Sequence, residues 1–500
     1  MKKIGAFFII TLALAGAAAA QTNSPAGRPM SLRDCFTAAL QNNYDVRIER
    51  FNPEISQLNL SAAYGGYDPQ LTVSGQHQYN NSGAYFDSNG ALVVPTENRE
   101  NTFSSGLGGL TPWGMTYDFS GNIYQQHLSK SLFTNNFSGD SSGSSVGVNV
   151  TQPLLKDFWI DANRLQIKVA KNQLKSSEQA LRAQVITTVT AVENAYYELI
   201  YSIENVKVQQ DALNLAQTQL DQDRRRVEVG SLAPLDVQQD EAQVAQSRAN
   251  LIAAENTLSV SQNTLKNLFT DSFSQWHQVA VEPSENLEAV RQLFDVQDSW
   301  SKGMESRPDL RQAKLSLETQ GIQLKYYRNQ LFPQVDLVGS YGFNGAGSEY
   351  NDSFQQMNDG SRPFYSYGGQ LTIPLSNTKA RSQLKAGKAT EKQLLLRLKQ
   401  LEQNVMVEID NAVKQAESAW ESVGATKQAR IYAEAALDAE QKKYAVGKST
   451  TFTVLQLQNT LTADRGQEIR ALANYYEALA TLAQKEGSTL QRYRIDVEIK

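Results

Sequence analysis

The sequence predicts an α+β membrane protein made of two tandem repeats. Each repeat joins barrel-type β-strands to helices far longer than those of a globular domain. Three observations carry that prediction. The chain repeats itself: Val446-Gly447 in "QKKYAVGKSTTFTV" stands 217 residues after Val229-Gly230 in "RRRVEVGSLAPLDV". At the same offset, Glu193-Asn194-Ala195 falls opposite Asp410-Asn411-Ala412, and Leu220 opposite Leu437. An earlier block repeats at 264 residues, pairing Asp45 with Asp309, Pro69 with Pro333 and Gly75 with Gly339, so the first half carries an insert of 47 residues. Repeats of this size decide the architecture before any single residue does. The second observation is a stretch of 76 residues, between Pro153 and Gly230, without glycine or proline. The third is a set of short segments, rich in Gly, Ser and Tyr, that alternate with period two.

In chain order, the first element is a targeting segment. Lys2 and Lys3 precede an apolar run from Ile4 to Leu14 and an Ala18-x-Ala20 site before Gln21. Residues 1–20 therefore read as a secretory signal peptide. The run is too short for a membrane anchor, and no later stretch reaches the 18 or so apolar residues of a spanning helix. The single cysteine, Cys35 in "SLRDCFTAAL", excludes an intramolecular disulfide. A small buried apolar residue is the favoured reading there, and a reactive thiol the other. The net charge of −5 becomes −7 once the two lysines of the signal leave, and the charge is scattered. That leaves no basic footprint for nucleic acid.

The glycine-free stretch, as one helix, would span roughly 110 Å. Its apolar positions Val185, Val189, Val192, Tyr196, Leu199, Ile203 and Val206 step by 4 and 3, the coiled-coil period. The second repeat keeps the stripe at Met406, Ile409, Val413, Trp420, Val423 and Leu437. Such a stripe needs a partner. The segments from Leu235 to Leu268 and from Thr453 to Lys485, each after its tip glycine, are the expected partners.

Between the helices, "QVDLVGSYGF" sets Val335, Leu337, Gly339, Tyr341 and Phe343 on one face, and "FYSYGGQLTIPL" sets Tyr365, Tyr367, Gly369, Leu371 and Ile373 likewise. "VGVNVTQPL" and "YDPQLTVSGQHQY" follow the same pattern in the first half. Strands of this kind suit a membrane barrel or a half-buried soluble sheet. The signal peptide and the lack of a spanning helix favour the barrel. The pairs Leu71–Tyr79 with Val146–Pro153, and Val335–Phe343 with Tyr365–Pro374, are too few to close a wall, since small barrels need about eight strands. The chain must oligomerise or borrow strands. "NTFSSGLGGL" and "GMTYDFSGNIY", joined by "TPWG", form a further hairpin over residues 102–125 whose place, in the wall or outside it, stays open.

The opening "SLRDCFTAALQNNYDVRIER", its echo "SRPDLRQAKLSLETQGIQLKYYRNQLFPQVDL", the strand exits "TQPLLKD" and "TIPLSN", and the two Val-Gly tips recur in order and in duplicate. With these marks the chain resembles the TolC-like outer-membrane efflux proteins over nearly the whole mature sequence. The resemblance implies a homotrimer in the outer membrane. Each subunit would give four strands to a twelve-stranded β-barrel, and its long helices to a periplasmic α-helical barrel. The product is one duct that docks onto a periplasmic adaptor and an inner-membrane pump, with outer-membrane lipid around it. The implied function is the exit duct of a tripartite efflux system; the alternative is the outer-membrane component of a type I protein secretion system. The corresponding plan is a first repeat over 21–264, with strands about 70–153 and a helical hairpin about 158–268. A linker follows over 265–305, with a short helix around Asn286–Phe294. The second repeat covers 306–487, with strands about 334–374 and a hairpin about 380–486, before a tail over 488–500 that wraps the helices as a belt or stays loose.

An enzyme is the natural rival. The three histidines, His77, His127 and His277, stand apart, and no metal-ligand spacing, nucleophile elbow, phosphate loop or dinucleotide fingerprint occurs. No cofactor or metal is expected. The many carboxylates lie among Lys and Arg, as solvated helix faces do.

Site residues follow from the resemblance. Val229, Gly230, Ser231, Val446, Gly447 and Lys448 match the tips that dock the adaptor; a plain turn demanding positive φ would equally explain the glycines. Asp236 would cap the returning helix or pair with Tyr444, which matches a tyrosine that latches the closed duct. Thr453 and Gln456 occupy positions where some members carry two carboxylates, so an acidic ring is absent there and Gln456 would form a neutral polar ring. Asp240 and Glu241 would supply charge nearby. The periplasmic gate is thus expected at Asp236, Asp240, Tyr444, Thr453 and Gln456.

Overall fold

The structure, a computed structural model, describes residues 27–496 except 87, 91, 132–135 and 289. The segment over 1–20 expected to be a signal peptide, and the end of the tail, lie outside the described residues. β1 (Arg28–Met30) leads into α1 (Leu32–Asn42). Ser31 opens this helix with a capping box: its Oγ accepts from the Asp34 amide at 3.2 Å, and Asp34 accepts from the Ser31 amide at 3.1 Å. α2 (Tyr44–Tyr64) and β2 (Gln70–Ser82) follow, then a small ribbon, β3 (Tyr85–Phe86) with β4 (Leu92–Val93). β5 (Thr96–Leu110), β6 (Thr116–Ser131) and β7 (Asn136–Pro153) precede the first hairpin, α3 (Ala162–Glu228) and α4 (Pro234–Phe269). α5 (Phe273–Trp276) and β8 (Val281–Pro283) lead to the second repeat. That repeat holds α6 (Val296–Ser306), α7 (Pro308–Asn329), β9 (Gln334–Gly347), α8 (Tyr350–Asn358), β10 (Pro363–Thr372), α9 (Thr378–Ala445) and α10 (Thr451–Glu486). α11 (Thr489–Arg492) closes it.

The duplication is plain in the helix lengths. α3 and α9 have 67 and 68 residues, and α4 and α10 have 36 each. A helix of 67 residues has a contour of roughly 100 Å. The short helix expected around Asn286–Phe294 is not there: the described residues from 284 to 295 are irregular, and the helix starts at Val296. The reason is the cap, since Asp295 accepts from the Gln297 amide at 2.9 Å and so fixes the start beyond it. No helix among the described residues is long and apolar enough to cross a membrane.

Six strands form one antiparallel sheet in the order β10-β9-β7-β6-β5-β2. Leu71–Tyr79 and Val146–Pro153, grouped as a pair by the sequence, are not direct neighbours, because β5 and β6 stand between them. The hairpin left open by the sequence is part of the sheet. Its register gathers most of the apolar residues on one side: Gly75 opposes Phe103, Phe103 opposes Ile123, Gly121 opposes Val146, Val148 opposes Tyr341, and Tyr341 opposes Tyr365, while Tyr124, Leu128, Val338 and Phe364 fall on the other. The other side is hydroxyl-rich. Ser74 and Ser104 meet at 2.7 Å, as do Ser340 and Ser366. A slip of one residue anywhere would move a strand's whole apolar set to the wrong side, so the pattern pins the pairing.

The chain divides into two compact units. One holds residues 44–188, 292–416 and 480–500, and contains this sheet. In the same unit, α7 and α9 bury Leu310 against Val405, Ile409 and Val413. Arg307, at the start of α7, ties that end to the middle of α9 through Asp309 at 2.6 Å and Glu408 at 2.9 Å. α8 lies on the apolar side of the sheet, where Ser144 Oγ donates to the Ser353 carbonyl at 2.7 Å and Tyr350 meets Phe103 with ring centroids 6.4 Å apart. The other unit holds residues 1–43, 189–291 and 417–479. Here the predicted stripe is a packed seam: Val189, Val192, Tyr196 and Leu199 are all 0% exposed. Tyr196 Oη donates to the Met30 carbonyl at 3.1 Å, fixing β1, which pairs in parallel with β8. Cys35 is fully buried in the same unit.

Candidate gate and docking tips

Both long helices end on the same motif. Gly230 and Gly447 have φ of 76° and 74°, the left-handed region that glycine occupies without strain. The Gly230 amide donates to the Val227 carbonyl at 2.9 Å, and the Ser231 amide to the Arg226 carbonyl at 2.8 Å. The Gly447 amide donates to the Tyr444 carbonyl at 3.1 Å, and the Lys448 amide to the Lys443 carbonyl at 2.9 Å. This pair of bonds is the Schellman termination, which satisfies carbonyls the helix end would leave open. The residues around it point outward, and Val229 and Val446 are 79% and 69% exposed. Two valines held in water at the ends of two helices cost free energy without a partner surface.

Behind the tips lies a buried polar cluster. Tyr444 is buried, and its hydroxyl donates to Asp223 Oδ2 at 2.8 Å and meets Thr451 Oγ1 at 2.9 Å. The Tyr444 phenol thus bonds to Asp223, on α3, whereas the resemblance implied Asp236, on α4. Asp236 sits in the first turn of α4, where its charge suits the helix N-terminus, but the cap residue is Ala233, not Asp236. Asp223 is 0% exposed and also accepts from Gln219 Nε2 at 2.6 Å. Arg226 approaches its other oxygen at 3.6 Å and lies over the Tyr444 ring, 4.5 Å from the centroid. Burial first, with the Asp223 bond adding to it, pushes the Tyr444 phenol up to about 12, so it remains a donor.

Asp240, on α4, is also 0% exposed. Neither of its oxygens meets a donor N–H or hydroxyl among the described residues. Burial pushes its carboxyl up to about 7, and the charge and hydrogen bond of Asp223, then the charge of Asp236, add to the shift. The two buried carboxyls satisfy each other when one proton lies between them. Asp240, expected to supply charge near the constriction, is thus buried and holds its proton more tightly than an ordinary carboxyl. Glu241, exposed, pairs with Arg224 at 2.8 Å. One further bridge joins the repeats: Gln243 on α4 and Asn459 on α10 exchange amide hydrogen bonds of 2.7 and 3.1 Å. Thr453 meets Thr450 at 3.0 Å, and Gln456 is exposed on α10.

Asp223 and the Gln243–Asn459 pair were missed by sequence reasoning. A signal for Asp223 exists. It extends the seam Leu213, Ala216, Leu220 by one more step of 3, so it is a carboxylate at a core position of a coiled coil. Its neighbours, in "DQDRRR", made it look solvated.

The comparisons with known proteins agree with this geometry. The family model described as "Outer membrane efflux protein" matches residues 115–269 and 301–488. The chain is 24% identical over 369 residues to the outer membrane protein TolC of Escherichia coli, covering 69% of this chain and 71% of that protein. It is 24% identical over 344 residues to the pyoverdine export outer membrane protein OpmQ of Pseudomonas aeruginosa, covering 67% and 70%. Among solved structures, VceC of Vibrio cholerae superposes with a TM-score of 0.66 at 17% identity, over 91% of this chain and 96% of that one. By the extent of the family match, this chain belongs to the outer membrane efflux protein family.

Proposed function

We propose that the chain is the exit duct of a tripartite efflux system. Three copies assemble in the outer membrane, the long helices extend through the periplasm, and the tips receive a periplasmic adaptor linked to an inner-membrane pump. The observation that carries this reading is the matched pair of exposed tips, each a Schellman turn presenting one valine. A docking surface used twice per subunit suits a ring of adaptor copies. The cluster behind the tips supports a gate. Tyr444 with Asp223 joins α9 to α3, and Gln243 with Asn459 joins α4 to α10, so opening requires the first-repeat hairpin to part from the second. The relatives named for pyoverdine export and for efflux favour small-molecule cargo over a secreted polypeptide.

The test is deletion of this chain's gene in its own host, followed by re-expression. Loss of dye and antibiotic export, restored by the parent, is the expected result. Normal export from the deletion strain, with one secreted polypeptide lost instead, would favour type I secretion.

A further inference from the structure

The sheet has six strands, and two of its properties bear on how it closes. Both of its edges are bare: all 13 residues of β2 are exposed, and in β10 only Phe364 and Gly368 are partly covered. A sheet with an apolar face cannot keep open edges in lipid, because unpaired N–H and C=O groups there cost several kcal/mol each. Six strands are also fewer than the eight of the smallest membrane barrels, so the sheet cannot satisfy its own edges.

We propose that β10 of one copy pairs with β2 of the next, and that the three copies close an eighteen-stranded wall instead of the twelve-stranded one that the resemblance implies. The inference rests on the trimeric duct proposed above. Strand polarity permits it. Neighbours alternate in direction across the whole sheet, so β2 and β10 run oppositely and meet in antiparallel fashion. The faces permit it as well, since Leu71 and Val73 on β2 share the apolar side with Tyr365 and Leu371 on β10.

The decisive point is the place of the hairpin β5–β6. A hairpin lying outside the wall has no need to continue the wall's pattern. This one continues it over residues 103–109 and 117–123, with Phe103, Leu107, Phe119 and Ile123 on the apolar side and Ser104, Asp118 and Asn122 on the other; beyond that band the same side carries Glu97, Arg99, Gln125 and His127. Its pairings also occupy the ladder positions by which β2 and β7 would otherwise meet. With strands about 4.8 Å apart and tilted about 40°, eighteen strands give a backbone diameter of ~36 Å, against ~24 Å for twelve. The membrane exit would then be far wider than a twelve-stranded one.

The test is electron cryomicroscopy of the full mature chain in lipid nanodiscs, with the strands counted in the wall. Eighteen strands in a trimer are expected. A trimer with a twelve-stranded wall, the hairpin lying outside it, would overturn the inference and leave the efflux reading standing. A particle with no barrel would overturn both. A cross-link gives an independent reading. Ser74 and Ser104 oppose each other across β2 and β5 with hydroxyls 2.7 Å apart. In a Cys35→Ala background, S74C with S104C is expected to form a disulfide in membrane-inserted trimers. Trimers whose two thiols stay free under oxidant would place β5 away from β2 and contradict the wall.

Discussion

Tyr444 Oη donates to Asp223 Oδ2 at 2.8 Å, across 221 residues of sequence, and both side chains are buried. The bond is charge-assisted when Asp223 is ionised, and it ties the last turns of α9 to those of α3. Removing the hydroxyl leaves a buried carboxylate short of a donor, at about 1–3 kcal/mol. Tyr444→Phe and Asp223→Ala are each expected to shift the closed state roughly 5- to 150-fold toward open per subunit. Single-channel recording in planar bilayers reads this as higher open probability. The double variant should be no more open than the more open single, because both lose one contact. Asp236→Ala should leave the gate unchanged. If Asp236→Ala opens the channel and Asp223→Ala does not, the latch lies where the resemblance put it.

In the proposed gate, the Asp240 carboxyl predicts a pH dependence. Its value in the packed tip is raised, chiefly by burial, whereas a carboxyl released to water titrates near the ordinary value of about 3.9. The packed tip therefore holds a proton that the parted tip gives up. Its contribution is full below the ordinary carboxylate range and is lost as pH rises through about 7. The groups facing Asp240 are Asp223 and Asp236, with Arg226 and Tyr444 bound to Asp223. Channels should be more closed at pH 5 than at pH 8. Asp240→Asn, neutral at both, should flatten the profile. An unchanged slope in that variant would assign the titration elsewhere.

The tip glycines make a separate prediction. A Cβ at Gly230 or Gly447 would meet nothing within 4 Å, so substitution there costs backbone strain without a clash. A β-branched residue at positive φ costs about 1–3 kcal/mol. The Gly230→Val and Gly447→Val double variant should still reach the outer membrane as a trimer, yet export at least several-fold less dye. Parental export from that variant would make the two glycines ordinary turns.

Much of this was legible in the sequence. The paired glycines, the helix lengths and the 4–3 stripe follow from local rules, because a helix is set by residues close in sequence. Pairing partners are not local. Nothing near Phe103 says that its strand sits between β2 and β7, although the alternation of Phe103, Leu107, Phe119 and Ile123 matches the wall. The Asp223–Tyr444 bond was hidden for the same reason. Each residue continues its own seam, but only the packing of α3 against α9 shows that the two seam positions meet.

Cys35 offers a simple check on the packing of α1. The thiol is fully buried, and that burial pushes it up to about 12. Native protein at pH 8 should resist maleimide for hours and react completely once denatured. Labelling of the native protein within minutes would mean that α1 opens readily from its site.

The most direct measurement of the gate is a reversible lock. Gln243 and Asn459 exchange hydrogen bonds of 2.7 and 3.1 Å between α4 and α10, on the line where the two hairpins must part. In a Cys35→Ala background, Gln243→Cys with Asn459→Cys can be bridged by a short bifunctional methanethiosulfonate reagent in cells that retain the adaptor and pump. Dye export should fall to the level of the gene deletion on cross-linking and return on reduction, while each single cysteine exports normally. Fully cross-linked trimers that export at the parental rate would show that the duct does not open by separating these helices.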